Sequence, residues 1–241
     1  MITRRLWWVL SGLVLVLSAR VVRAAPTVDG GGSGTSVAVL YFDYSGKNEA
    51  LLPLQKGLAQ MLITDLANEE IVRVVERERL QAILDEHKLA QSGKVDGKTA
   101  ARIGKLLGAR HLVLGSFFDV AGTLRVDARL VDVETGAIVK SIGAQGKADE
   151  FLELEQKLVE GLRGACATLV RDKSETAPHA AGRHGPKPPK HLKTETAVAY
   201  GRALLAYDAG DKPTARKLFK NVLQAQPDFE LAQRDLDRLI Q

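Results

Sequence analysis

Cysteine, aromatic residues and proline are all scarce in this 241-residue chain, and each scarcity excludes a class of protein. The chain has one cysteine and eight prolines, and 5% of its residues are aromatic. One cysteine cannot form an intramolecular disulfide, so a disulfide-rich scaffold is excluded. The few prolines exclude a collagen-like chain, and the few aromatic rings argue against binding of sugars or bases by stacking. The 45% of apolar residues is enough for a buried core.

The net charge of +5 comes largely from the amino-terminal end of the chain. Residues 1–24 hold four arginines and no acidic residue, which leaves 30 basic and 29 acidic residues after them. A second basic segment, residues 171–193, has six Lys or Arg residues and two acidic ones. Because the rest of the chain is nearly balanced, nucleic acid is not an expected partner.

Residues 1–24 have the features of a cleavable signal peptide. Arg4 and Arg5 precede an uncharged run over residues 6–19, which is short for a transmembrane helix and typical of a secretory hydrophobic segment. Cleavage is expected after Ala24, and no cysteine near that site could carry a lipid anchor. We therefore expect export to the periplasm of a cell bounded by an outer membrane. An uncleaved amino-terminal anchor is the alternative, and Sec and twin-arginine export are not distinguished.

Hydrophobic periodicity predicts one α/β domain over residues 36–171, after a flexible lead-in over residues 25–35. The elements alternate as strand, helix, strand, helix, helix, three strands and a final long helix over about 148–171. The last two strands read as a hairpin that turns at residues 134–136, with Gly136 in the left-handed conformation. This order predicts a mixed sheet flanked by helices in two or three layers, followed by a small all-α tail.

The carboxy-terminal tail, residues 194–241, resembles a single tetratricopeptide repeat. The residues that match this pattern are Ala203, Gly210, Asp211, Ala215, Phe219 and Pro227. A generic helical hairpin is the alternative. Because a lone repeat leaves part of its apolar face uncovered, we expect the tail to bind a partner protein or a second copy of itself through Tyr200, Leu204 and Tyr207. We also expect it to fold independently of the α/β domain.

A linker rich in Pro, Lys and His is predicted over residues 172–193, between the two folded parts. Its basic patch consists of Arg183, Lys187, Lys190 and Lys193. These cations could lie along anionic lipid at the membrane surface, a wall polymer or an acidic partner. A solvated spacer is the alternative.

No set of residues in the chain has the spacing of a catalytic, cofactor-binding or metal-binding site. The charged cluster over residues 76–79 follows a strand and opens a helix, which favours caps and ion pairs over an acid and base in a pocket. His179, His184 and His191 lie in the linker without a cysteine or acidic residue to complete a metal site. Cys166 falls near the apolar stripe of the long helix, which predicts a buried structural thiol, with a reactive thiol as the alternative. We expect a protein that is not an enzyme and needs no cofactor.

Short blocks of the α/β domain carry a second resemblance. The blocks are residues 37–43, 74–77, 103–109, 113–116 and 129–136, together with Leu80, Ile83, Leu84 and Glu86. In this order they resemble the curli production assembly/transport (CsgG) family and its soluble relatives, over nearly all of residues 36–170. The amino-terminal domain of TolB and the outer-membrane activators of peptidoglycan synthases are similar in architecture.

The CsgG resemblance implies a non-enzymatic envelope protein that acts through protein contacts. The first expectation is a periplasmic adaptor associated with the outer membrane, which serves the assembly or secretion of cell-surface components. Envelope proteins are its expected partners, and self-association is compatible with the resemblance. The alternatives are a regulator of a cell-wall synthase and an oligomeric pore subunit. Pore-forming members carry a lipidated cysteine and inserted membrane hairpins, and the short gaps between elements here leave no room for such hairpins.

Overall fold

The computed structural model describes residues 35–69, 71–87, 97–147, 149–172 and 185–240. The predicted signal peptide, most of the lead-in, Arg183, His179 and His184 lie outside these ranges. The elements, in chain order, are β1 (Ser36–Val39), β2 (Asp43–Tyr44), a 3-10 turn (Glu49–Leu51), α1 (Leu54–Asn68), β3 (Arg73–Val74), α2 (Arg77–Glu86), α3 (Gly97–Leu107), β4 (His111–Val120), β5 (Thr123–Asp132), β6 (Ile138–Lys147), α4 (Phe151–Asp172), α5 (Thr194–Asp208), α6 (Lys212–Ala225) and α7 (Glu230–Arg238). The predicted mixed α/β class with a helical tail is confirmed.

The strands form one six-stranded mixed sheet in the order β3-β1-β4-β5-β6, with the short β2 pairing beside β4. β1 runs parallel to β3 and β4, whereas β4, β5 and β6 are joined as antiparallel hairpins. The β4–β5 turn uses Ala121 and Gly122, both with positive φ, and the β5–β6 turn ends at Gly136 with φ 72°. Backbone N–H groups of Glu134 and Thr135 donate to the Asp132 carboxylate and fix that turn.

Strand alternation gives the sheet two unlike faces. On one face, Val113, Phe117 and Val126 pack into a core with α1 and α4. On the other face, α2 and α3 cover β1 and the beginning of β4 through a second cluster around Leu80 and Ile103. Most of β4, β5 and β6 on this second face lies outside that cluster.

The tail docks on the α/β region, so the predicted independence of the two parts is wrong. α5 packs along α1, and the main core cluster continues from the sheet into Tyr200 and Phe219 of the tail. The helices approach closely where glycines face each other, since a Cβ on Gly57 would lie 2.9 Å from the Ala197 carbonyl oxygen. The tail therefore shares a core with the α/β domain, and the predicted boundary residues remain a prediction.

The first two tail helices form the predicted hairpin. Gly210 turns the chain with φ 76°, and the Asp211 side chain accepts a hydrogen bond from the Thr214 N–H to cap α6. Ala215 and Phe219 are fully buried, as the pattern requires. These features fit both a tetratricopeptide-like unit and a generic hairpin, so the repeat assignment remains a prediction.

Candidate functional site

The sheet presents a surface that no described helix covers, which we call the open face. It is built by side chains that point away from α1 and α4, at alternate positions of β4, β5 and β6. Its members include Ser116, Phe118, Val120, Arg125, Asp127, Arg129, Ser141, Gly143 and Gln145. Two apolar side chains on this face are exposed, Phe118 by 37% and Val120 by 61%. Apolar side chains grouped on a surface typically mark a contact site for another molecule.

An ion pair lies flat at the centre of the open face. The Arg125 guanidinium donates to both Asp127 carboxylate oxygens, from Nε at 3.0 Å and from Nη2 at 2.8 Å. A Cβ on Gly143 would come within 2.9 Å of Asp127 Oδ1, so glycine at that position leaves room for the pair. Phe118 lies directly opposite Arg125 on the neighbouring strand.

A groove of about 540 Å³ separates the amino-terminal end of α3 from the sheet. Asp43, Asp127, Asp132 and Arg129 contribute its charged groups. Asp127 is held by its arginine neighbour, and the pKa of Asp132 is lowered chiefly because the Thr135 N–H donates to it. Because these two carboxylates already serve structural contacts, the groove favours binding over acid–base catalysis. Nor do three His, Cys, Asp or Glu side chains converge as a metal site anywhere in the described ranges.

The charged cluster over residues 76–79 binds the tail through Arg77. Arg77 is 1% exposed and donates through Nη1 to both oxygens of Asp208 on α5, at 2.6 and 2.7 Å. Lys56 reaches the same carboxylate at 2.5 Å, and its Nζ also donates to Gln81. We call Lys56, Arg77 and Asp208 the tail lock. The expected structural role of the cluster is observed, but its partner 131 residues away was not foreseen.

The three residues expected to form a binding face on the tail are used inside the molecule. Tyr200 and Leu204 are 0% and 1% exposed, and the Tyr200 hydroxyl donates to Asp235 at 2.6 Å. Tyr207 is half-buried, with the Arg77 guanidinium 5.9 Å from its ring centre. The prediction of a free face there is wrong for Tyr200 and Leu204, because both lie in the main core and the Tyr200 ring packs against Phe219 and Phe229 of the same tail.

The described end of the linker, residues 185–193, runs along the tail. The backbone N–H groups of Lys187 and Lys190 donate to Glu230 and Asp228, at 2.9 and 3.0 Å. Leu192 is buried in the main core, whereas the side chains of Lys187, Lys190 and Lys193 are exposed. The basic patch is thus available to solvent at these three positions, and its use in binding remains a prediction.

Two carboxyl groups meet between α1 and α4. Glu155 is fully buried, and its pKa is raised well above the usual range by burial and by Asp65. Burial also raises the pKa of Asp65 to about 6. Such a pair holds a proton near neutral pH, because two adjacent buried carboxylates cannot both ionise at low cost. Cys166 is buried too, as expected, which raises its pKa to about 11 and leaves it unreactive as a thiolate.

The acid pair predicts that the protein is more stable in mild acid. Both folded-state pKa values lie above the unfolded ones, so the free energy of unfolding should fall as pH rises from about 4 through 6 and beyond. We expect a loss of roughly 1–2 kcal/mol in urea unfolding between pH 4.5 and 8. Glu155→Gln should remove the contribution of Glu155 to this slope and stabilise the protein at pH 8, while the contribution of Asp65, which comes chiefly from burial, remains. Glu153→Gln, at an exposed position of the same helix, should leave the slope intact; equal slopes for both variants would refute the assignment.

Comparison with known proteins gives one family match. Residues 33–121 match the family described as Curli production assembly/transport component CsgG. A curated relative, the putative adenylate cyclase 3 of Rhizobium meliloti (strain 1021), is 21% identical over 201 residues, which cover 83% of this chain. The chain spans about a third of that relative, 32% of its length.

Solved structures with a similar chain course come from several bacteria. The LpoB C-terminal domain from Salmonella enterica is 19% identical with a TM-score of 0.41, over 49% of this chain and 87% of that one. The PelC dodecamer from Paraburkholderia phytofirmans is 15% identical with a TM-score of 0.40, over 56% and 91%. Lipoprotein GNA1162 from Neisseria meningitidis is 12% identical with a TM-score of 0.41, over 59% and 99%. The family match covers the segment from the start of β1 to the β4–β5 turn.

Proposed function

We propose that this chain is a non-enzymatic adaptor of the periplasm, which supports assembly or secretion of cell-surface components through protein contacts. The observation that carries this proposal is the CsgG match over residues 33–121, a segment that supplies Phe118 and Val120 of the open face. The expected export signal over residues 1–24 supports an envelope location. Among the described residues, no helix is both long and apolar enough to cross a membrane.

The open face is the surface that fits this role. Protein interfaces combine apolar area with polar groups, and charged residues are depleted from their fully buried parts. Phe118 and Val120 provide exposed apolar area, while the Arg125–Asp127 pair offers charges that already neutralise each other. A partner that binds the open face would remove water from few unpaired charges, so the free-energy cost of desolvation would be low.

Capture of partners by crosslinking in intact envelopes tests the proposal. Phe118→Asp combined with Val120→Asp places charge on the open face and should reduce the recovery of captured proteins at least tenfold, without loss of folding. Ile240→Asp is the matched control, because Ile240 is 63% exposed on the tail, and it should capture as the wild type does. Equal capture by all three proteins would contradict the proposal. A cell-wall synthase among the partners would favour the regulator alternative, and a large ring in detergent extracts would favour a pore subunit.

A further inference from the structure

Strand β6 forms a long free edge of the sheet. It has ten residues, and in the strand order it pairs with β5 on one side. Among the described residues, its other side is bonded only at Lys147, whose N–H donates to the Glu150 carboxylate and whose C=O accepts from the Glu150 N–H. The opposite edge of the sheet is β3, which has only two residues. A strand edge of this length offers a row of backbone donors and acceptors to another extended chain.

The register shows which backbone groups point outward. The β4–β5 turn has two residues, Ala121 and Gly122, so Val120 and Thr123 form a hydrogen-bonded pair. Alternation then directs odd-numbered residues of β5 to β4 and even-numbered residues to β6. The β6 partners of the even-numbered residues are Lys140, Ile142, Ala144 and Gly146. The N–H and C=O groups of Ser141, Gly143 and Gln145 therefore face away from the sheet, as do those of Lys147, which bond to Glu150.

The usual protections of an edge strand are missing from the middle of β6. Proteins block edges with charged residues, proline or a bulge. Residues 141–146 contain no charged residue and no proline. The irregularity of the β5–β6 ladder lies beside Leu130 and Val131, near the start of β6. Lys140 and Lys147 flank the stretch without interrupting it.

We propose that β6 pairs antiparallel with β6 of a second copy of this chain, about a two-fold axis at Ile142. Head-to-tail pairing of β6 with β3 of another copy would give backbone partners to only two of the ten β6 residues. Two β6 strands, in contrast, have the same length. A two-fold axis perpendicular to the sheet keeps α4 of both copies on the same face. Ile142 then packs against Ile142 of the second copy, Ser141 lies opposite Gly143, and Lys140 lies opposite Ala144.

This register separates the charges of the two copies. Lys140 and Lys147 both lie away from the axis, and neither faces a lysine of the second copy. An axis one residue further along, at Gly143, would place glycine against glycine and forgo the Ile142 contact. Cross-strand apolar pairs contribute to sheet stability, which favours the Ile142 register.

Disulfide crosslinking of the purified protein tests the register. Residues at even positions would form non-hydrogen-bonded pairs across the new edge, with Cα atoms about 4.5 Å apart. Ile142→Cys should therefore give a covalent dimer under mild oxidation. Lys147→Cys is the control, because the two copies of that residue would lie about 33 Å apart at 3.3 Å per residue. Crosslinking at position 147 but not at 142 would overturn the proposal.

The edge itself is tested with a matched pair of variants at Ser141. Ser141→Pro removes an outward N–H group and leaves the β5–β6 ladder in place, whereas Ser141→Ala keeps that N–H group. Light scattering at tens of micromolar should give a dimer for the wild type and for Ser141→Ala, and a monomer for Ser141→Pro. The unfolding midpoint of diluted Ser141→Pro should stay close to that of wild-type monomer, which separates lost pairing from lost folding. A monomeric wild type, or a dimer that persists in Ser141→Pro, would refute the inference.

Discussion

Replacing Asp208 with asparagine should lower the free energy of unfolding by about 3–5 kcal/mol, because it breaks a buried charge network by removing one partner. The Asp208 side chain is 7% exposed, and it is the shared carboxylate of Arg77 and Lys56. Without it, the guanidinium of Arg77 stays in the core with Gln60 as its remaining buried acceptor. Urea unfolding at pH 7 measures the change.

Two further variants separate the tail lock from a general effect of charge removal. Asp237→Asn removes an exposed carboxylate from the same tail and should change stability by less than about 0.5 kcal/mol. Arg77→Met combined with Asp208→Leu replaces both charges by apolar groups and should recover much of the loss seen for Asp208→Asn alone. If Asp208→Asn and Asp237→Asn have equal effects, the tail lock does not stabilise the docked tail.

Gly201→Ala should undock the tail from α1 or destabilise the whole protein by about 3 kcal/mol or more. A Cβ at this position would lie 2.0 Å from the backbone carbonyl oxygen of Pro53, a distance that requires the helices to separate. Because the backbone of Pro53 cannot rotate away as a side chain could, the substitution cannot be absorbed locally. Trypsin should then cut earlier at Lys190 and Lys193, next to the displaced α5.

Gly164→Ala is the matched control for this substitution. Gly164 also lies within a helix, on the exposed side of α4, and its added Cβ would meet no atom within 4 Å. Alanine there should stabilise the protein by about 0.5–1 kcal/mol through helix propensity. The same chemical change should therefore have opposite signs at the two positions. A stabilised Gly201→Ala protein with unchanged protease resistance would contradict the close α1–α5 contact.

Much of the fold follows from local patterns in the chain. The alternation at Leu124, Val126, Ala128 and Leu130 predicts a strand with one buried face, and the structure has it in β5. The glycine signals at Gly136 and Gly210 predict turns for a local reason, since left-handed backbone favours residues without a Cβ. The order of strands and helices was predictable because the hydrophobic pattern that marks each element lies within about ten residues.

The errors concern surfaces that depend on what packs against them. Tyr200 and Leu204 have the spacing of an apolar helix face, and that spacing is the same whether the face binds a partner or packs inside the molecule. The contact of Arg77 with Asp208 joins residues far apart in the chain, and no local rule relates them. Strand alternation predicts that Phe118 and Val120 lie on the same face of β4. They are exposed because α2 and α3 cover only β1 and the beginning of β4 on that face.

By itself the amino-acid sequence determined the α/β class, the hairpin turns, the helical tail and the CsgG resemblance, because periodicity and turn chemistry act over short distances. Only the tertiary structure decided that the tail docks on α1, that Glu155 is buried beside Asp65, and that β6 lies at a free edge of the sheet. Each of these features depends on contacts between segments that are distant in the sequence. The docked position of the tail, for example, is selected by the close approach of helices at Gly57 and Gly201 and by the pairing of buried charges.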